Sequence, residues 1–360
     1  MDRVKDIHGG NIWLASASRG SHPSDILDFS ASINPLGFPS SARKALAAAI
    51  KSIPPYPDPA STELKKAIAN FHSIGTGEVA PANGSNELIS MIPRLLKSGP
   101  ALIVEPAFSE YKKALELEGI KVNRHLLRER DGFRLNAKRL EKAMEGSSAV
   151  YIANPSNPSG ALAGKDCLLD VIAHARKTGA LVVIDEAFAD FTGLSVIPEA
   201  IKAGNVIVLR SMTKFYAMAG LRLGYAVGGK KLMARLAAFI PAWSVNTLAS
   251  AAGVAALKDR AFRKRTLEWF ECEREFLFKG LSSLSGLAPF ESSANYVMVR
   301  LKGGVDARVL RKWLLEKDGI LIRELSAFPG LGPQFFRVAV LGRETNKKLL
   351  AALKRFLRHS

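Results

Sequence analysis

The amino-acid sequence predicts an α/β protein: a large region built on a mostly parallel sheet flanked by helices, joined to a smaller α+β region. Short, continuous apolar runs alternate with amphipathic stretches through the middle of the chain, the pattern of strands buried on both faces. After about residue 258 the pattern changes to one long helical stretch followed by spaced strands and helices. With 360 residues the chain is also long enough for one large core and a smaller one.

In chain order, the segment to about Ser40 is rich in Gly, Ser, Asn and Pro and is expected to wrap over a surface rather than form a core. Buried strands are expected at Ala101–Glu105, 121–126, Ala149–Ala153, Leu181–Asp185, 206–210 and 224–227, with helices at 109–118, 136–145 and Lys165–Thr178 between them. Beyond residue 258 come a helix to about 284, strands at Tyr296–Leu301, 320–323 and 336–340, and a terminal helix over 345–358. The expected division is a large domain over 41–245, with an arm over 1–40 and a small domain over 246–360.

Hydrophobic residues make up 48% and charged residues 23%, an ordinary globular balance. No apolar run has the roughly 18 residues that a membrane span needs, so no membrane partner is expected. The net charge of +18 is spread along the chain beside acids, as over 260–279, rather than gathered in a stripe or tail, and no nucleic-acid partner is expected. Cys167 and Cys272 are far apart and lack metal-ligand spacing; a reduced, cytoplasmic setting and no metal are the expectation.

Four stretches carry chemistry. Ser211-Met212-Thr213-Lys214 follows a strand, so its lysine belongs at the carboxyl end of a sheet, where ligands of open α/β folds collect. A lysine beside two hydroxyls, with Arg222 eight positions on, suits a Schiff base next to a bound phosphate; a surface lysine in a glycine-containing loop is the ordinary alternative. Asn83-Gly84-Ser85-Asn86 leads into the apolar-periodic run from Leu88, a helix start of the kind that binds phosphate, although many such starts bind nothing. Asn154-Pro155-Ser156-Asn157-Pro158-Ser159-Gly160 makes a rigid turn that could hold the Asn157 amide against a ring oxygen, or an ordinary loop. Asp185 ends the apolar run Val182-Val183-Ile184, where a carboxylate needs a partner such as a protonated pyridine nitrogen, unless it reaches solvent.

In this order, the motifs G-S, N-P-x-N-P-x-G, D-E-A, S-x-x-K and G-x-R-x-G resemble the fold-type I family of pyridoxal-5′-phosphate (PLP) enzymes, over about residues 8–340. The resemblance implies PLP as cofactor and a mostly parallel seven-stranded sheet. It implies that Lys214 carries the cofactor while Asp185 serves its ring nitrogen and Asn157 its ring oxygen. Gly84, Ser85, Asn86, Ser211, Thr213 and Arg222 would hold its phosphate, and Phe108 would stack on the ring. Tyr56, in Pro55-Tyr56-Pro57, would reach the phosphate of a neighbouring subunit, which implies a homodimer. Arg337 would bind the substrate α-carboxylate.

Within that family the core resembles the histidinol-phosphate aminotransferases. Local features resemble the L-threonine-O-3-phosphate decarboxylases of cobalamin biosynthesis: His8-Gly9-Gly10-Asn11, the run from Leu27 to Gly37, Pro241-Ala242-Trp243-Ser244-Val245-Asn246, Ile320-Leu321-Ile322-Arg323 with Phe328-Pro329-Gly330-Leu331, and Phe188 where aminotransferases carry tyrosine. Both candidate substrates carry a phosphate, and His8, Asn34 and Arg323 are the candidates for that second phosphate site. Substrate contacts are thus expected from His8, Asn34, Asn157, Arg323 and Arg337. Which bond stands perpendicular to the cofactor ring decides the outcome: Cα–carboxylate for decarboxylation, Cα–H for transamination. A non-catalytic binding protein of the same fold is the reading from another class, and the presence of Lys214 argues against it.

Overall fold

The structure, a computed structural model, describes residues 8–96 and 98–359, so the first seven residues of the expected arm lie outside the described residues. The main sheet has seven strands: β1 (Val79–Ala82), β2 (Ala101–Glu105), β3 (Val122–Leu126), β4 (Ala149–Ala153), β5 (Leu181–Asp185), β6 (Val206–Ser211) and β7 (Gly224–Gly228). Their spatial order is β1-β7-β6-β5-β4-β2-β3, and β7 alone runs against the direction of the other six. Every residue of β2, β5, β6 and β7 is buried, which is why those segments are continuous apolar runs without alternation. Two sheet positions differ from expectation. β3 is an edge strand whose outer residues alternate toward solvent, with Leu126 half exposed, rather than a buried strand. β1 was not anticipated: Val-Ala-Pro-Ala is short, and Pro81 argues against a strand unless it lies at an edge, as it does here.

A second sheet is wholly antiparallel: β8 (Leu287–Pro289), β9 (Tyr296–Leu301), β10 (Arg323–Glu324) and β11 (Phe335–Ala339), in the order β10-β11-β9-β8. Helix Arg260–Ser282 packs on β8 and on the terminal helix Arg343–His359. The Ala-rich helix Thr247–Lys258 packs instead against helices Ser40–Ala49 and Thr62–His72, beside the large sheet, because its small residues permit close approach.

The N-terminal segment corrects the reading of a surface wrapping. It forms a helix at Ile12–Arg19, then pairs Leu27–Asp28 in parallel with Ile320–Leu321. The backbone of Phe29 continues the ladder, donating to Leu321 and accepting from Ala339, and its ring is fully buried. Residues 27–29 are therefore stitched into the second sheet region, and the loop that follows is delivered to the carboxyl edge of the large sheet.

Candidate active site

The carboxyl ends of β2, β4, β5 and β6 open into a cavity of about 480 Å³ that also takes Arg323 and Arg337 from the second sheet. Two devices hold these ends in register. Arg210 and Glu186, at the ends of β6 and β5, form a fully buried ion pair at 2.9 Å, and Arg210 also reaches Asp190 at 2.6 Å. The loop bearing Asn157 is clasped by the second sheet: the Tyr296 hydroxyl donates to the Ser156 carbonyl at 2.8 Å, and the Ser293 N–H to the Gly160 carbonyl at 2.9 Å. Gly160 has φ +77°, and a Cβ there would lie 2.0 Å from the Ser292 hydroxyl, so only glycine permits this approach.

Lys214 lies half-buried in the cavity wall. Burial, then the positive charges of Arg337 and Arg222, pull its amine down to about 8, while Asp28 and Asp185 oppose them. Asp185 accepts from the Tyr111 hydroxyl at 2.5 Å and from the Ala187 N–H at 2.9 Å. Burial raises its carboxyl pKa, and those hydrogen bonds limit the rise. On the other side, the Ser211 and Thr213 hydroxyls lie 2.7 Å apart. Ser85 and Asn86 line the cavity at the start of helix Ser85–Met91, and the Asn86 side-chain oxygen is buried without a partner. Gly84 (φ +81°) lets this turn pass close to Arg222, whose guanidinium lies 3.0 Å from the point a Gly84 Cβ would occupy.

Arg337 donates to the Asn157 side-chain oxygen at 2.5 Å and to the Ser30 carbonyl at 3.2 Å, and its guanidinium carbon sits 4.5 Å from the centre of the Tyr296 ring. Burial pulls its pKa down to about 10, and its Nε has no protein partner. Arg323 stands opposite Arg337 across the β10–β11 ladder and lies over the Phe328 ring at 5.8 Å. His8 lines the cavity 3.1 Å from Glu110, its ring 5.5 Å from that of Phe108.

Most residues expected at a site therefore border one cavity: His8, Ser85, Asn86, Phe108, Asn157, Asp185, Ser211, Thr213, Lys214, Arg222, Arg323 and Arg337. Asn34 is a correction. It is buried away from the cavity, donating to the Phe215 carbonyl at 2.8 Å and to Thr266 at 3.2 Å while accepting from the Leu36 N–H, so its amide is spent on structure. Tyr56 is 79% exposed, stacked on Trp243 with ring centres 4.6 Å apart, and does not border this chain's own cavity. Sequence reasoning missed Tyr111, Ser30 and Glu105. Tyr111 follows Phe108 by three residues, a helical spacing that could have placed both on one face. A larger hollow of about 1010 Å³, between 160–162 and helix Arg260–Ser282, contains none of the expected residues.

The donor set fits PLP. Asp185 matches a protonated ring nitrogen, Lys214 an aldehyde, and Ser85, Ser211, Thr213 and Arg222 a phosphate, while the unpartnered Asn86 oxygen and Arg337 Nε leave polar capacity for ligands. A lysine in one cavity with a buried carboxylate and a set of hydroxyl and guanidinium donors, at the carboxyl edge of a mostly parallel sheet, fits one class: a PLP-dependent enzyme. Residues 24–353 match the family model for aminotransferase class I and II. The chain is 37% identical to the threonine-phosphate decarboxylase of Salmonella typhimurium over 99% of its length and 98% of the relative's. Its fold superposes with TM-score 0.87 on the histidinol-phosphate aminotransferase from Clostridium acetobutylicum, at 30% identity, covering 92% of this chain and 99% of that one. It superposes with TM-score 0.86 on the histidinol-phosphate aminotransferase from Sinorhizobium meliloti in complex with pyridoxal-5′-phosphate, at 25% identity, covering 100% and 98%. The chain belongs to the class I and II aminotransferase family, and PLP is its cofactor. Among the described residues no helix is long and apolar enough to cross a membrane.

Proposed function

We propose that this protein decarboxylates L-threonine O-3-phosphate to (R)-1-amino-2-propanol O-2-phosphate, a step of cobalamin biosynthesis. The carrying observation is the pair of arginines, Arg323 and Arg337, partners across one ladder and both bordering the cavity that Lys214 lines. Two cations so close suit a substrate with two anionic groups, a carboxylate and a phosphate. The similarity to threonine-phosphate decarboxylase over nearly the full length of both chains supports the same substrate.

PLP, when bound, supplies an electron sink conjugated to the substrate α-carbon. Lys214 would carry the cofactor, and its amine, with a pKa near 8, is suited to give and take the proton at the substrate Cα. Asp185 would pair with the ring nitrogen and keep it protonated, Asn157 would serve the ring oxygen, and Phe108 would stack on the ring. Ser85, Asn86, Ser211, Thr213 and Arg222 would hold the cofactor phosphate, helped by Tyr56 from a second copy in a homodimer. Arg337, bonded to Asn157, would hold the substrate α-carboxylate and so favour its loss, while Arg323 and His8 would hold the substrate phosphate.

The test is product analysis on PLP-loaded protein. Aminopropanol phosphate and CO₂ from L-threonine O-3-phosphate, without a keto acid, support the proposal. Glutamate formation from histidinol phosphate plus 2-oxoglutarate would establish instead the aminotransferase reading, which the likeness to the histidinol-phosphate aminotransferase structures favours.

A further inference from the structure

Behind the cavity wall lies a carboxylate with no assigned part in the chemistry. Asp28 sits at the end of the short strand paired with Ile320–Leu321, and its Oδ1 accepts three hydrogen bonds: from the Ser30 N–H at 2.8 Å, the Ser30 hydroxyl at 2.6 Å and the Ala31 N–H at 3.3 Å. This is an aspartate turn, in which the side chain replaces a backbone acceptor and fixes the residues after it. Those residues, Ser30, Ala31 and Ser32, form one wall of the cavity, whereas Asp28 itself does not border it.

The turn reaches two functional parts. The Ser30 carbonyl accepts from Arg337, whose other nitrogen donates to Asn157. The Ser30 hydroxyl accepts from the Gly10 N–H at 2.7 Å, next to His8 on the N-terminal arm. Gly9 presses so closely on this turn that a Cβ there would lie 2.3 Å from the Ser30 carbonyl oxygen. Asp28 is also one of four charged groups that act electrostatically on Lys214, the others being Arg337, Arg222 and Asp185.

We propose that Asp28 is a positioning residue: by holding the Ser30–Ser32 turn it aims Arg337 at the substrate carboxylate and seats the arm that carries His8. The chain of contacts runs Asp28 to Ser30 to Arg337 to Asn157, linking the N-terminal strand to the loop after β4. The part concerning the carboxylate rests on the proposed reading of Arg337.

The experiment compares Asp28→Ala with Asp28→Asn, the latter keeping the Oδ1 acceptor and losing the charge. Asp28→Ala should raise KM for L-threonine O-3-phosphate by about 10-fold or more, the effect of a misplaced binding group, with cofactor still bound. Asp28→Asn should restore KM to within about threefold, because the turn persists. In the protein stripped of cofactor, both variants should lower the midpoint pH at which Lys214 captures added PLP, because a negative charge near the amine is gone. A wild-type KM in Asp28→Ala, an Asn variant no better than Ala, or an unmoved Lys214 midpoint each overturns the proposal. If Asp28→Ala does not fold, Ser30→Ala removes the hydroxyl that joins Asp28 to the Gly10 N–H, and a wild-type KM there overturns the seating of the arm, while the Asp28→Asn comparison with the parent decides the rest. Failure of the unaltered enzyme on L-threonine O-3-phosphate would sink the substrate reading alone and leave the Lys214 midpoint to decide the role of Asp28.

Discussion

Arg323 and Arg337 are direct partners across the antiparallel β10–β11 ladder, and both border the cavity that holds Lys214. Like charges directly opposite on neighbouring strands destabilise a sheet. The burial of Arg337, with a smaller contribution from Arg323, is what lowers its pKa to about 10. The Tyr296 ring, the Ser30 carbonyl and the Asn157 oxygen offset part of that cost. Under the proposed function, a dianionic substrate would offset more of that cost.

Replacing either arginine should therefore damage substrate use and spare the cofactor. Losing one charge-assisted contact, worth about 1.5–3 kcal/mol, corresponds to roughly a 10- to 150-fold loss in kcat/KM for Arg337→Ala or Arg323→Ala. The visible absorbance of the bound cofactor should stay as in the parent protein. Steady-state kinetics beside a spectrum checks both, and unchanged kinetics in Arg337→Ala would remove that residue from the site.

The depressed Lys214 amine has a pH signature. Only the neutral amine attacks the aldehyde of PLP, and its pKa is lowered from 10.5 to about 8. Because the shift is downward, the reactive form accumulates as pH rises through about 8 instead of only above 10. Cofactor capture by stripped protein, followed by absorbance, should rise with a midpoint near that value. Lys214→Ala should show no such band at any pH.

Phe188 packs edge-on to Tyr296 with ring centres 5.0 Å apart and borders the cavity. In Phe188→Tyr the new phenol should donate to the ring oxygen of the bound cofactor and stabilise its anion. The pH midpoint of the cofactor's visible absorbance should then fall, with a modest change in rate. A spectrophotometric titration that shows no movement would mean position 188 does not touch the ring.

Gly160→Ala tests the clasp between the two sheets. An alanine there must adopt φ +77° and push against Ser292, so a loss of at least about 1–3 kcal/mol is expected from the backbone strain alone. Thermal melting should register it, and weaker cofactor retention should accompany it because the same loop carries Asn157. Adding Ser292→Gly should recover part of the loss by removing the colliding side chain.

Much of the large sheet and its loops was legible along the chain. The strands β2, β4 and β5 lie where their apolar runs predicted; Asp185 ends β5, and Asn157 and Lys214 follow β4 and β6 within a few residues. Local rules suffice there, since a parallel strand buried on both faces must be apolar and its carboxyl end must turn toward the ligand side. The misreadings share one cause. Leu27–Asp28 becomes a strand only through its pairing with Ile320–Leu321, and β1 survives its proline only because it lies near an edge. Asn34 sits in a motif that looks like a ligand loop, yet its amide is consumed by Phe215 and Thr266, far along the chain.

By itself the sequence placed the residues expected to serve the cofactor: a lysine after a strand, a carboxylate ending another, and a glycine-serine helix start, each set by short-range spacing. Tertiary structure alone decided how the cavity wall bearing Arg323 and Arg337 is built. Arg323 and Arg337 face each other, and Asp28 reaches Arg337 through Ser30, only because strands distant in the chain pair in one register. Register is a property of partners, and no single strand carries it in its own residues.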